Sequence, residues 1–207
     1  NLTFSKEKLF PQIANLLLEG NILAIKNTSG YLLCCNAENR DVVQKLRTTK
    51  NRPNKPFAVL FPSLEFLKNE LNLTKSQEKS LTSSERPITI ISSKNYKGNI
   101  SLNKIAPGLN HLGVMLPYSG ILQLIANHLS FPIVATSGNI HGSPILIENE
   151  EAFEKLKNVA DYFLQHNLKI NHPQDDSVIK FSYKFQQEIL YRRSRGYAPN
   201  YLKIKLK

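Results

Sequence analysis

The segment at residues 50–56, Lys-Asn-Arg-Pro-Asn-Lys-Pro, restricts the fold more than any other part of the chain. Its two prolines lack backbone donors and hold the residues before them in extended conformations, so neither a helix nor a central strand can run through it. The cations Lys50, Arg52 and Lys55 repel one another unless an anion lies between them. The sequence therefore predicts a shaped loop between a helix and a strand. This loop either binds a polyphosphate, with the arginine as a two-pronged clamp, or is an ordinary basic surface loop.

Helical and strand patterns alternate on both sides of this loop. We predict helices over residues 5–20, 38–47, 64–71, 75–81, 121–129 and 149–157. We predict strands over residues 21–26, 31–35, 57–61, 87–92, 111–116, 132–136, 177–182 and 188–193. Ser5 is the expected cap of the first helix and Gly20 its stop, while residues 93–109 are expected to form an exposed loop. The alternation predicts an α/β domain around a twisted, mixed sheet.

The composition is that of a globular domain with an excess of positive charge. The chain has 207 residues, of which 41% are hydrophobic, and its formal net charge is +11. We predict a single domain over residues 1–207, and the charge favours anionic partners. Because the chain begins at Asn1 without a methionine, we expect it to be a domain of a larger protein. It carries neither a membrane span nor a secretory signal, so we expect a cytoplasmic protein without a membrane partner.

The cysteine and histidine patterns do not predict a metal site. Cys34 and Cys35 are adjacent in an apolar run, where neighbouring side chains point to opposite faces of a strand and cannot easily form a disulfide. We expect both thiols to be buried in a reducing compartment. The five histidines show no zinc-binding spacing.

Polar residues follow the apolar strand predicted over residues 132–136. Open α/β sheets place their ligands at such strand ends, and the run from Thr136 to Asn139 ends this strand. Gly138 allows a close backbone approach, while Ser137 and Asn139 offer fixed polar contacts. The alternative is a plain turn, for which Ser-Gly-Asn is common composition.

Two further clusters lie near the C-terminus. The run Arg192-Arg193-Ser194-Arg195-Gly196 would place successive arginines on opposite faces of a strand, and the alternative is a solvated edge. The pair Asp175-Asp176 precedes Ser177 and Val178. It is either a metal-binding pair or a turn into a strand, and the turn is favoured because no other carboxylate matches it by spacing.

Taken together, these clusters resemble the YrdC-like domain. In detail they are most similar to the form found inside HypF, the carbamoyltransferase that matures nickel–iron hydrogenases. The resemblance covers residues 20–200, and the runs that carry it follow one another in the family's order: AIKNTSGYLLCCNAEN, LRTTKNRPNKPFAVL, IAPGLNHLGVMLPYS, VATSGNIHGSPI, DDSVIK and YRRSRGYAPN. Departures from the HypF pattern lie at Leu32, Asn36, Leu168 and Pro173.

The resemblance implies a largely mixed β-sheet with flanking helices around a positively charged cavity that binds ATP. Mg²⁺ would be held through the phosphates. The implied nucleotide- and phosphate-binding residues are Lys50, Arg52, Lys55, Thr136, Ser137, Asn139, Ser177, Arg193 and Arg195. No catalytic residue and no metal ligand is assigned.

The resemblance also implies a reaction and its alternatives. A HypF-like domain joins a carbamoyl group derived from carbamoyl phosphate to AMP, releases pyrophosphate, and serves a HypE-like protein partner. A stand-alone relative instead makes threonylcarbamoyl-AMP for tRNA modification. A third possibility is a non-catalytic module that binds a nucleotide or double-stranded RNA, although the tyrosines show no RNA-stacking pattern.

Overall fold

The computed structural model of the protein describes residues 6–140 and 142–199. The strands are β1 (Leu23–Asn27), β2 (Gly30–Asn36), β3 (Ala58–Leu60), β4 (Ile88–Ser92), β5 (His111–Met115), β6 (Ile133–Ser137), β7 (Tyr162–Leu164), β8 (Val178–Phe181) and β9 (Glu188–Arg192). The helices are α1 (Lys6–Leu18), α2 (Arg40–Thr49), α3 (Leu64–Glu70), α4 (Lys75–Leu81), α5 (Leu102–Ile105), α6 (Gly120–Ala126) and α7 (Asn149–Leu156).

All nine strands join one mixed sheet, in the order β7-β1-β2-β6-β3-β5-β4-β8-β9. Three neighbouring pairs are parallel, namely β1 with β7, β3 with β5, and β4 with β8. The other five pairs are antiparallel. This arrangement confirms the predicted α/β class with a mixed sheet and flanking helices.

Short polar side chains fix where four of the helices begin. Asn39, Ser63, Thr74 and Ser119 precede α2, α3, α4 and α6, and each side-chain oxygen accepts a hydrogen bond from a backbone N–H of the first turn. These bonds satisfy donors that have no partner within the helix. The polar residue before each helical pattern is therefore the local signal that starts the helix.

The sheet is buried on both faces by separate apolar clusters. Leu33 and Cys35 of β2 point into a cluster that includes residues of α2, α3, α4, α5 and α7. Leu32 and Cys34 point to the other face, where α1 and α6 pack. The two thiols are buried and free, as predicted, and burial raises the pKa of the Cys34 thiol to about 12.

Most of the predicted elements are confirmed within one to three residues at their ends, and two regions differ. Residues 93–109 are not an exposed loop throughout, because α5 forms there and buries Ile105 and Ala106 in the core. Strand β7 was not predicted, and it pairs with only three residues of β1. The predicted cap at Ser5 lies outside the described residues. Within the described ranges, no helix is both long and apolar enough to cross a membrane.

Candidate functional site

A cavity of about 410 Å³ lies over the centre of the sheet, on the face that carries α1 and α6. Its floor consists of Ala135, Ala58 and Gly113, which lie side by side on β6, β3 and β5. These three positions carry at most a methyl group, so the sheet surface is open where larger side chains would fill it. Ile88, Ile90 and Val178 complete an apolar wall. The small residues in the middle of these three strands therefore create the cavity.

The loop at residues 50–56 forms one side of the cavity. Helix α2 ends at Thr49, and Asn51 then adopts a left-handed conformation with φ of 47° that turns the chain out of the helix. Arg52, Lys55 and Pro56 line the cavity. The prediction of a shaped loop between a helix and a strand is confirmed.

Arg52 is fixed at the cavity wall by neutral acceptors. Its guanidinium donates to the carbonyl oxygens of Lys55 (3.2 Å) and Pro56 (2.5 Å) and to the Thr136 hydroxyl (3.3 Å). Burial lowers its pKa to about 10, helped by the nearby positive charges of Arg47 and Arg192. Arg52 nevertheless stays charged at neutral pH, so it brings a desolvated positive charge to the cavity.

Lys50 lies behind the cavity wall rather than on it. Only 8% of the residue is exposed, and its Nζ donates to the carbonyl oxygens of Ser137 (2.5 Å) and Asn139 (2.9 Å) and to Asn139 Oδ1 (2.9 Å). Burial lowers its pKa to about 8, with contributions from the charges of Arg52 and Lys55. Lys50 thus ties the basic loop to the turn that follows β6.

That turn is built around a close contact with β2. The Gly138 N–H donates to the Tyr31 carbonyl at 2.6 Å, and a Cβ added to Gly138 would lie 2.6 Å from the Tyr31 Cβ. Only glycine fits this approach. The Asn139 amide oxygen accepts from the Ser137 hydroxyl at 2.9 Å, which fixes both side chains beside the cavity.

The opposite wall carries two carboxylates, each paired with an arginine. Asp175 pairs with Arg192 at 3.2 Å and is half exposed. Asp176 pairs with Arg195 at 3.0 Å, and both of these side chains are about seven-eighths buried. Burial raises the pKa of Asp176, while Arg195 opposes the rise. The arginine partners favour the structural interpretation of the Asp175-Asp176 pair.

The structure brings five of the nine predicted site residues together on the cavity lining: Arg52, Lys55, Thr136, Ser137 and Asn139. Ser177 is fully buried, and its hydroxyl donates to the Arg195 carbonyl and accepts from the Ser194 N–H. Arg195 lies in the ion pair with Asp176. Arg193 lines a different cavity, of about 530 Å³, together with residues of α4.

Sequence reasoning missed three residues that the geometry places at or beneath the site. Arg192 and His111 line the cavity, and Arg47 holds the basic loop from behind. A β-bulge explains why Arg192, rather than Arg193, lines the cavity. It sets Arg192 opposite Val178, whereas regular pairing would set Tyr191 there and turn Arg193 toward the cavity.

The residues present do not form a protein-held magnesium site. Within residues 6–140 and 142–199, no group of three histidine, cysteine or acidic side chains could hold a metal ion. The carboxylates on the cavity lining are Asp175 and Asp176, and both already have arginine partners. A magnesium ion in this cavity would therefore take most of its oxygen ligands from a bound phosphate compound.

Comparison with known proteins shows which family shares this arrangement. The Sua5/YciO/YrdC family model, described as telomere recombination, matches residues 15–194. The carbamoyltransferase HypF of Synechocystis sp. is 41% identical over 180 residues, which cover 87% of this chain and 23% of that protein. A crystal structure of full-length HypF in its phosphate- and nucleotide-bound form superposes with a TM-score of 0.86 at 42% identity, covering 92% of this chain and 29% of that chain.

A second group of relatives is more distant. The threonylcarbamoyl-AMP synthase of Vibrio parahaemolyticus is 26% identical over 152 residues, which cover 71% of this chain and 80% of that protein. The chain spans about a quarter of the length of the HypF relatives that it matches. The family model covers nearly the whole chain, and the sheet and cavity described above fit the predicted resemblance. The chain belongs to the Sua5/YciO/YrdC family and, within it, is strongly similar to the corresponding part of HypF carbamoyltransferases.

Proposed function

We propose that this chain is an ATP-dependent domain that forms carbamoyl-adenylate and releases pyrophosphate. The observation that carries the proposal is the meeting of the basic loop with the Ser137-Gly138-Asn139 turn at one edge of an apolar-floored cavity. An apolar floor suits a flat base, and the cationic edge suits a polyphosphate. The 41% identity to a HypF carbamoyltransferase supports the choice of a carbamoyl group.

The proposed chemistry needs no nucleophile or general base from the protein. An oxygen of carbamate attacks the α-phosphorus of ATP, the new O–P bond forms, and the bond to the leaving pyrophosphate breaks. Catalysis then depends on positioning the reactants and on neutralising charge. Arg52, Lys55 and Arg192 are the cavity cations available for this task. Mg²⁺ carried in on the phosphates would supply further charge neutralisation.

The partners follow from the same proposal. Carbamoyl phosphate would supply carbamate after hydrolysis by water, which releases inorganic phosphate. A HypE-like protein would receive the carbamoyl group through other parts of a longer protein. The reaction would take place in the cytoplasm.

The alternative product is threonylcarbamoyl-AMP, which the more distant synthase relatives favour. A tRNA would then be the acceptor. If the chain is instead a nucleotide- or RNA-binding module without turnover, no product forms.

An exchange assay tests the proposal and separates these alternatives. The chain is incubated with ATP, Mg²⁺ and labelled pyrophosphate, with either carbamoyl phosphate, ammonium bicarbonate as a source of carbamate, or threonine plus bicarbonate. We expect label to enter ATP with a carbamate source and not without one. Exchange only with threonine plus bicarbonate would support the alternative product. Absence of exchange under all conditions, with ATP binding intact, would contradict the proposed catalysis.

The protonation of Lys50 predicts a pH dependence of ATP binding. Its pKa of about 8 in the free protein is below the usual value for lysine, and a bound anion would raise it because the anion favours the charged form. Affinity should therefore be full below pH 8 and fall above it, by at most about tenfold per pH unit. Calorimetry at pH 7 to 9.5 in buffers of different ionisation enthalpy should show proton uptake above pH 8. Lys50→Met should remove the uptake near pH 8 and leave only the uptake by Arg52 towards pH 9.5. A pH-independent affinity would show that the Lys50 charge is not coupled to binding.

A further inference from the structure

Arg47 is a buried cation that no carboxylate of the described residues neutralises. It lies in the last turn of α2 and is only 5% exposed. None of the ion pairs formed among the described residues includes it. Burial lowers its pKa from the usual value for arginine. A charge removed from water without a counterion is costly, so its contacts must compensate for the loss of hydration.

Those contacts are with backbone carbonyl oxygens on two sides of the guanidinium. On one side, Nη1 donates to the carbonyls of Arg52, Pro53 (3.2 Å) and Lys55 (3.1 Å). On the other side, Nε and Nη2 donate to the carbonyl of Lys104 at 3.1 and 2.7 Å, and Nη2 also donates to the Ile105 carbonyl at 3.3 Å. The first set belongs to the basic loop and the second to the end of α5.

Arg47 donates to both sets of carbonyls and shares two of them, because Arg52 Nε also donates to the Lys55 carbonyl and the Phe57 N–H to the Ile105 carbonyl. The last carbonyls of a helix such as α5 have no partner within it. The loop at 50–56 contains two prolines, which have no backbone N–H and so leave the loop with fewer donors for its own carbonyls. Arg47 therefore joins two segments that border the cavity, since α5 leads through a short turn to Leu109 on the cavity lining.

An aromatic ring extends this arrangement to the cavity. The guanidinium carbon of Arg47 lies 4.4 Å from the centroid of the Phe57 ring, and that of Arg52 lies 5.0 Å from the same centroid. Phe57 is itself on the cavity lining. The position of Arg52 thus depends on the loop carbonyls and on the ring that Arg47 holds.

We propose that Arg47 is a positioning residue that holds the basic loop in its phosphate-binding conformation without touching the ligand. The inference rests on the proposed function, because the loop is taken to grip the phosphates of ATP. Lysine cannot replace Arg47, since one ammonium group cannot reach both sets of carbonyls with the spread of the guanidinium donors. Loss of the arginine geometry should therefore loosen the phosphate end of the site and leave the base end intact.

The test compares Arg47→Lys with the wild type, and with Arg40→Lys as a control on the exposed first turn of the same helix. We expect Arg47→Lys to weaken ATP binding at least about tenfold, the effect of losing one or two charge-assisted hydrogen bonds. Adenosine binding, followed by NMR titration, should change less than about twofold, because the nucleoside does not use the loop. Arg40→Lys should leave both affinities unchanged. Global destabilisation alone would weaken both ligands equally.

A ligand-free measurement makes the outcome independent of catalysis. Hydrogen exchange should speed up in Arg47→Lys at the Arg52 and Phe57 amides, which donate to the carbonyls of Arg47 and Ile105, and not in β6. Unchanged exchange, or equal losses of ATP and adenosine affinity, would overturn the inference. If the wild type fails to bind ATP, the proposed function fails instead. If the wild type binds ATP and Arg47→Lys binds it equally well, only the role of Arg47 is wrong.

Discussion

Replacing Arg195 with alanine is expected to destabilise the fold by about 3–5 kcal/mol, the typical cost of removing one partner from a buried ion pair. Arg195 pairs with Asp176 at 3.0 Å, and the two side chains are only 12% and 13% exposed. Its guanidinium also donates to the carbonyls of Glu85 (3.0 Å) and Arg86 (2.9 Å) and lies 3.5 Å from the centroid of the Tyr118 ring. The alanine variant would leave a buried carboxylate and two carbonyls without their partner.

Thermal and urea unfolding of the variant measure this cost. A loss of that size should lower the melting temperature by about 6–20 °C for a chain of this length. The deficit should shrink in acid, because without Arg195 the pKa of Asp176 rises further and protonation removes the unpaired charge. Adding Asp176→Asn should recover part of the stability, and Arg40→Ala on the exposed end of α2 should change it by less than about 0.5 kcal/mol. Normal stability together with lost ATP affinity would instead make Arg195 a direct ligand contact, as the family resemblance implies.

Replacing Ala58 with leucine is expected to reduce ATP affinity by at least about a hundredfold, because the new side chain would occupy the space proposed for the ligand. Ala58 lies between Ala135 and Gly113, on the central strand of the cavity floor. The cavity of about 410 Å³ can accept the additional carbons without displacing the core. Stability should therefore change little, since the leucine exchanges exposure to water for contact with Ile88 and Ile90.

Calorimetry with ATP and an unfolding curve on the same sample separate these two effects. Ala58→Ser is the matched control, because it keeps the side chain small and should retain most of the affinity. If the leucine variant is stable and binds ATP as tightly as the wild type, the ligand does not lie on this floor. The proposal would then have to move the nucleotide to another surface.

Much of the fold could be predicted because its local signals agree with its tertiary structure. Polar caps precede apolar helical patterns, and the turn between β1 and β2 separates two apolar runs. Strand β7 could not be predicted because it has three residues, and its pairing with β1 is supported by a distant contact, the hydrogen bond from the Ile22 N–H to the Asp161 carboxylate. Helix α5 has four residues, and its end is held by Arg47 from another part of the chain.

The site was predictable only in part, because some of its residues carry a local sequence signal and others depend on distant contacts. Arg52, Lys55, Ser137 and Asn139 belong to short runs whose residue types already favour anion binding, and these side chains line the cavity. The distinction between Arg192 and Arg193 depends on a bulge opposite Val178, which no local pattern reveals. The burial of Lys50 behind the wall depends on carbonyls that lie nearly ninety positions away in sequence. Side-chain direction, rather than residue type, is what sequence reasoning could not supply.

The pairing of Asp175 with Arg192 has a consequence for how an anion enters. These side chains are 47% and 39% exposed, so the pair contributes at most about 1 kcal/mol and exchanges partners easily. The ligand-free cavity therefore carries its own built-in counterion, and an arriving polyphosphate displaces a tethered carboxylate in addition to dissolved salt ions. The carboxylate stays attached to the chain when it separates from Arg192, so this separation releases no ion into solution. Only the release of dissolved ions makes the affinity depend on salt. Affinity should therefore vary less with ionic strength than a count of the three cavity cations suggests.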